Sequence, residues 1–451
     1  MKQGNYTVVD MSTLDRSQLV ARKSVPVNPD RERVTEEEPA TQVRATTPEA
    51  PRVTVRGLFH AQSLSLGSVR IDYALLTATF ILLGIGAVMV YSASSVVASS
   101  RYASSTYFLM RHLFRAVIGL GLLLVFTRIP TEILRSIGGI ALLAGMVMLM
   151  VLLVMKVVDP SGAAKGAYRW FRLPYVSFQP SEFVKFTFIV FLAGRLSRQQ
   201  GDLGHFTKVV LPHLVLLSLA LGLILFQPDL STAVAIALVS GVIMFAAGMR
   251  IRHAAFLVVL MLIVVVILIR IEPYRMDRLM DFWLVAKIRG EPVKPSYQIF
   301  QGFVALGSGG IFGRGLGQSL QKYFFLPEPH TDSILPVIGE EFGLVGTLTV
   351  LVLFAFYGRE GMRIARMQKN VFSYLLAVGL TANIMIYATL NAAVMLGLLP
   401  ATGLPLPFIS YGGSALILNL ASTGVLLRLD MEAKGTSSTV GMNATRYGRR
   451  D

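Results

Sequence analysis

The 451-residue chain predicts an all-α fold: a polytopic membrane protein of about ten transmembrane helices with a large extracytoplasmic loop between the seventh and the eighth. Three observations lead there. The composition is 53% hydrophobic and only 15% charged, and the mean hydropathy of +0.60 lies well beyond that of a soluble domain of this size. Apolar windows of about 20 residues, enough to cross roughly 30 Å of hydrocarbon, recur along the chain. Lys and Arg gather in alternate connections between those windows.

Residues 1–70 are rich in Pro, Thr, Arg and Glu, as in RERVTEEEPATQVRATTPEAPRV, and show no sustained apolar period; they predict a disordered cytoplasmic tail. Residues 1–20 lack the continuous apolar core of a cleavable signal, so the first hydrophobic helix is expected to direct insertion. The transmembrane domain, 71–428, offers helices near 73–94, 107–127, 131–155, 179–197, 207–226, 229–248, 253–271, 334–357, 371–397 and 405–428. Only Gln227, Pro228 and Asp229 separate the fifth from the sixth. The fourth opens on Pro180, whose missing N–H is no loss at the first helical position. Residues 272–333 form the large outer loop, and the polar end 429–451 a cytoplasmic C-terminal tail.

With the N-terminus inside, every inner connection is basic: Arg128 and Arg135; Arg195, Arg198 and Lys208; Arg250 and Arg252; Arg359, Arg363, Arg366 and Lys369. The outer connections between helices five and six and between nine and ten carry no Lys or Arg. Both termini are therefore predicted to be cytoplasmic. Two outer loops break the pattern. One holds Lys156, Lys165, Arg169 and Arg172 against Asp159; the other holds Arg275, Arg278, Lys287, Arg289, Lys294, Arg314 and Lys322. They predict an anionic ligand on the outer face, although a long loop also translocates regardless of its charge. The formal charge of +16 is otherwise assigned to loops facing anionic membrane lipids, not to nucleic acid. The absence of cysteine excludes disulfides and thiolate metal sites, and the six scattered histidines have no ligand spacing for zinc.

Ionisable groups inside membrane segments are costly enough to mark function. Glu182 falls in the first turn of the fourth helix with Lys185 three residues on, on the same face; dipole complementation and snorkelling are the structural alternative. Arg111 lies near the outer start of the second helix. The glycines of ALGSGGIFGRGLGQS lack the Lys-Ser/Thr ending of a phosphate loop, so they imply turns or close backbone approach. Asp332, beside His330 and just before the eighth helix, could cap that helix or serve as a general base. Glu340 and Glu341 follow about 12 Å deeper in a regular helix, where acids need a partner or a wet cavity.

The motifs SFQPSEFVKF, QPDLSTA, YQIFQGFVALGSGGIFGRGLGQSLQKYFFLPEPHTD, IGEEFG and LLPATGLPLPFISYGGS, in this order, resemble the SEDS family (shape, elongation, division and sporulation) over roughly residues 70–430. GLGQSLQK followed by YFFLPEPHTD resembles the division-type branch more than the elongation-type one. The resemblance implies a ten-helix fold and a peptidoglycan glycosyltransferase that polymerises lipid II at the outer face of the cytoplasmic (inner) membrane, at the division septum. It also implies a class B penicillin-binding protein as transpeptidase partner, with other division proteins. By motif, Asp332 matches the family's catalytic aspartate, Glu182 and Lys185 its polar pair, and Arg111 its arginine on the second helix. Ser410 to Ser414 match an element lining the same cavity. Ser333 stands where the family usually has Phe.

On that reading Asp332 removes the proton of the acceptor's GlcNAc 4-hydroxyl, and undecaprenyl pyrophosphate leaves. Arg111, Lys185 and Arg169 would stabilise its charge through charge-assisted hydrogen bonds, with a divalent cation, Mg²⁺ or Mn²⁺, left open. His330 and Ser410 join them as substrate-binding candidates. A lipid II flippase is the alternative from another class, but its charges are expected near the midplane, open to both sides. An elongation-type polymerase and a division scaffold are the others.

Overall fold

The computed structural model describes residues 73–158, 168–172, 177–199, 211–271, 276 and 297–447, with side chains as far as residue 435 and excluding that of Arg172. The predicted tail 1–70 and the loop charges Asp159, Lys165, Lys208, Arg275, Arg278, Lys287, Arg289 and Lys294 lie outside the described residues.

Among the described residues the architecture is helical apart from one short ribbon. In order come α1 (Tyr73–Tyr102), α2 (Tyr107–Arg128), α3 (Thr131–Val158), α4 (Pro180–Leu196), α5 (Leu211–Leu225), α6 (Leu230–Ala246), α7 (Ile251–Ile271), α8 (Tyr297–Gly309), α9 (Ile334–Met367), α10 (Val371–Met395) and α11 (Gly413–Tyr447). A short antiparallel ribbon, β1 (Phe171–Arg172) with β2 (Ser177–Phe178), leads into α4. Among the described residues seven helices are long and apolar enough to cross a membrane, while α4, α5 and α6, at 17, 15 and 17 residues, are shorter.

Hydropathy does not decide which helices are central. The most hydrophobic, α7, has a mean hydropathy of 3.2 yet buries no residue, because lipid solvates an apolar surface as well as another helix does. The interior is built from α4, α10 and α11, where small residues let backbones approach. A side chain at Gly424 of α11 would strike the backbone of Leu123 on α2, and one at Gly119 would meet Leu420. Gly138 and Gly145 of α3 receive Val190 and Val184 of α4 in the same way.

Three features differ from the sequence expectation. The last helix begins at Gly413, not near 405: Pro405 and Pro407 interrupt helical hydrogen bonding, and Phe408 takes φ 64°. That helix then continues through the segment read as a polar tail, to Tyr447. The third difference lies in 297–322, read as outer loop. Helix α8 runs alongside the first turns of α9, from Gln298 beside Ser333 to Gly309 beside Gly339 and Glu340. At 13 residues it is too short to cross, and the glycine-rich segment that follows turns the chain back.

That segment repairs a break in α9. Gly343, at φ 68° and ψ −161°, interrupts the helix. The carbonyls of Glu340 and Glu341 accept from the amides of Arg314 and Gly315 (both 3.0 Å). The amides of Leu344 and Val345 donate to Gly310 and Ile311 (2.9 and 3.1 Å). Broken backbone in a membrane segment needs such protein partners, since lipid offers none. Gly313, at φ 82°, must be glycine here, because a Cβ would overlap the Glu341 carbonyl. The two acids complete the repair. Glu340 accepts from Ser319 Oγ (2.5 Å) and the amides of Leu320 (2.9 Å) and Gln321 (3.3 Å). Glu341 Oε1 accepts from Ser92 of α1 (2.6 Å) and Lys322 Nζ (3.2 Å).

Candidate active site

At one end of the bundle α1 and α5 stop and α2, α4, α6, α9 and α11 start, bringing together loop segments that are far apart in sequence. Asp332 lies there, half-buried, one residue before the N-cap of α9. Its side chain does not cap the helix. Oδ2 accepts from Gln298 Nε2 of α8 (3.0 Å) and Oδ1 from Thr331 Oγ1 (3.1 Å). The same Gln298 amide donates to Ser333 Oγ (2.9 Å). The Asp332 carbonyl accepts from Asn391 Nδ2 of α10 (2.8 Å), which also holds the carbonyl of Leu404 (2.8 Å). Gly403 faces Oδ2 without a side chain. Burial raises the carboxyl's pKa above the usual aspartate range; the Gln298 and Thr331 hydrogen bonds oppose that rise, and the Glu328 charge adds to it.

An aromatic wall gathers around His330, two residues before Asp332. Tyr102 stacks on Tyr107 at 3.8 Å, Phe108 meets His330 at 4.3 Å and Tyr411 at 5.2 Å, and the Arg111 guanidinium sits 4.4 Å above the Tyr107 ring. Burial pushes His330 down to about 4, helped by Arg101 and opposed by Glu328. The imidazole is therefore neutral at physiological pH and belongs to the wall as a ring, not as a cation. Four residues past Arg111, one turn along α2, Arg115 is buried, with its guanidinium 4.6 Å from the Tyr411 ring centroid.

Glu182 and Lys185 form a buried ion pair of 2.7 Å, and the Lys185 ammonium also lies 3.7 Å from the Tyr387 ring centroid. The predicted pairing along one helix face is realised, but buried rather than snorkelling. Asp229, the N-cap of α6, accepts from the Thr232 amide (3.3 Å) and from Gln179 Nε2 (3.3 Å), the residue before α4. Tyr387 and Asn391, four apart on α10, connect this pair to Asp332.

Two predicted ligands are engaged with backbone. Arg169 donates to the carbonyls of Gln227 (3.0 Å) and Pro228, fastening the turn between α5 and α6. Ser410 Oγ accepts from the Leu406 amide (2.9 Å) and holds the non-helical stretch before α11. Sequence reading passed over Gln298, Arg115, Asp229, Tyr387 and Asn391. For Arg115 the helical spacing from Arg111 was the available sign; for the others only their long-range partners reveal the role.

Among the described residues no three His, Cys, Asp or Glu side chains could hold a metal together. A hollow of about 420 Å³ lined by Leu124, Val125, Arg128, Ile129 and Pro130 lies at the opposite end of α2, away from all these groups.

Residues 73–435 match the family of FtsW, RodA and SpoVE, described as cell cycle proteins. A probable peptidoglycan glycosyltransferase FtsW from Geobacter sulfurreducens is 39% identical over 369 residues, 81% of this chain and 96% of the relative. The Bacillus subtilis protein of the same name is 37% identical, over 80% of this chain and 91% of its own length. Among solved structures, a chain of a peptidoglycan synthase complex superposes with a TM-score of 0.65 at 24% identity, covering 81% of this chain and 99% of its own. Thermus thermophilus RodA gives 0.59 at 24% identity, covering 81% and 98%. At that identity the two structures speak for the fold alone.

Proposed function

This chain belongs to the SEDS family of FtsW, RodA and SpoVE proteins, and from that membership and the site geometry we propose a peptidoglycan glycosyltransferase that polymerises lipid II for the division septum. The observation that carries the mechanism is Asp332: a carboxylate oriented by Gln298, with raised proton affinity, and beside a glycine. Asp332 takes the proton of the acceptor GlcNAc 4-hydroxyl as its oxygen attacks the donor anomeric carbon. Undecaprenyl pyrophosphate leaves, and the configuration inverts, because one displacement forms no covalent sugar intermediate. Arg111, stacked on the Tyr107 ring, meets the developing phosphate charge. Glu182 and Lys185 hold the far wall through Tyr387. No step is assigned to a divalent cation. A class B penicillin-binding protein is the proposed transpeptidase partner, alongside other division proteins.

The purified chain, with its class B partner, is expected to convert labelled lipid II into a ladder of glycan strands resolved by gel electrophoresis. No ladder under any partner condition, with facilitated transfer of lipid II across vesicle bilayers instead, would favour the flippase.

The site is proposed to face outward, with Arg128, Arg195, Arg250, Arg252, Arg359 and Arg366 at the cytoplasmic end. The chain has no cysteine, so single cysteines report cleanly. Ser104→Cys, exposed between α1 and α2, is expected to react with an impermeant maleimide applied from outside; Arg198→Cys, exposed after α4, is expected to stay unlabelled until the membrane is permeabilised. Reversed labelling would place the site on the inner face.

A further inference from the structure

Arg115 is a second buried cation that the proposed mechanism does not use. It is 4% exposed, and its Nε atom is buried without a hydrogen-bond partner. Its only described polar contact is a long one, 3.4 Å from Nη2 to Ser177 Oγ. Among the described residues no carboxylate lies within ion-pair distance of it. Apart from the Tyr411 ring, which is neutral, its surroundings are positive as well. A Cβ at Gly413, the first residue of α11, would lie 3.4 Å from the Arg115 Cζ, so the guanidinium sits against that helix N-terminus. The N-terminus of α4 is tied to the same place: the Gln179 amide donates to Ser414 Oγ (2.8 Å), which in turn donates to the Ser177 carbonyl (3.3 Å). No side chain caps α4, and Ser181 Oγ in its first turn is buried without a partner. Helix N-termini carry partial positive charge and free amides, and a buried guanidinium lacking a counter-charge is unfavourable beside them.

We infer that Arg115 and the N-termini of α4 and α11 form an oxyanion site that takes a phosphate group of the polyprenyl pyrophosphate substrate. The planar fork of Arg suits two phosphate oxygens, and an amide in the first turn of α11 suits a third. The inference rests on the lipid-linked substrate proposed above. It adds a second phosphate contact one turn past Arg111, in place of Lys185 and Arg169, whose donors are engaged with Glu182 and with backbone carbonyls.

Binding is tested without turnover. Full-length protein in detergent is titrated with inorganic pyrophosphate, with farnesyl pyrophosphate and with phosphatidylglycerol micelles, and melting is followed. Farnesyl pyrophosphate is expected to raise the melting temperature of the wild type, and Arg115→Gln to weaken that binding at least tenfold, while Arg115→Lys loses less. Arg115→Gln without ligand is expected to melt no lower than wild type, since it removes an unpaired buried charge. Stabilisation by pyrophosphate and farnesyl pyrophosphate identifies the substrate as the source of the anion; equal stabilisation by phosphatidylglycerol alone identifies a lipid headgroup and overturns the assignment. Unchanged affinity in both Arg115 variants also overturns it. Because binding is read in the absence of polymerisation, loss of glycan synthesis with intact Arg115-dependent binding would count against the Asp332 mechanism only.

Discussion

Asp332→Asn is expected to lower glycan polymerisation by about a hundred- to ten-thousand-fold, the usual worth of a positioned general base, without lowering the melting temperature. The amide oxygen can still accept from Gln298, the amide NH2 can donate to the Thr331 hydroxyl, and the size of the side chain is kept. Stability is expected to move the other way from activity. The folded-state pKa of Asp332 is raised by burial above its unfolded value, so in the interval between the two the native state binds more protons and stability falls as pH rises. At neutral pH the ionised carboxylate therefore weighs against folding, and the neutral amide removes that burden. The same shift sets the pH–rate profile: activity needs the ionised form, so its acid limb is expected above the ordinary aspartate range. Near-normal glycan ladders from the purified Asn variant would remove Asp332 from the chemistry, and a lower melting temperature would mean that its charge stabilises the fold.

Lys322→Met is expected to cost about 3–5 kcal/mol of stability, because it strips the cation from a buried carboxylate. Glu341 is almost fully enclosed, with Lys322 Nζ 3.2 Å from Oε1, and the remaining donors on that oxygen are Ser92 Oγ (2.6 Å) and the Ser319 amide (3.4 Å). Lys322 also donates to the Gly317 carbonyl (2.6 Å), so its loss loosens the segment that spans the break in α9. Glu341→Gln alone strands the ammonium. The double variant Lys322→Met with Glu341→Gln is expected to recover part of the loss, since no unpaired charge is left. Melting in detergent of the four proteins gives the coupling directly. Additive effects of the two substitutions would mean that the pair does not hold the segment.

Both experiments address the acids grouped between residues 332 and 341, which look alike in the sequence and do different work. Asp332 keeps its carboxylate at the site, whereas Glu340 and Glu341 spend theirs on the amides, hydroxyl and ammonium of residues 319–322. Sequence reading required partners for the two glutamates but had no means to name them.

What the sequence determined by itself is local. Length and hydropathy set which segments form membrane helices. Pro180 at the first turn of α4 and the spacing of Glu182 to Lys185 placed that ion pair correctly, because residues three apart on a helix must meet. Motif order marked Asp332, Arg111 and the glycine-rich segment. The tertiary structure decided which charges are engaged and with what. Arg169 and Ser410 are held by backbone 58 and four residues away, Gln298 reaches Asp332 across 34 residues, and Arg115 meets Ser177 across 62. It also decided that α8 packs along the start of α9, and that the last helix starts at Gly413. Helical periodicity carries no information about such contacts. They follow from the need to satisfy each buried donor, acceptor and charge within the protein, since the surrounding lipid cannot.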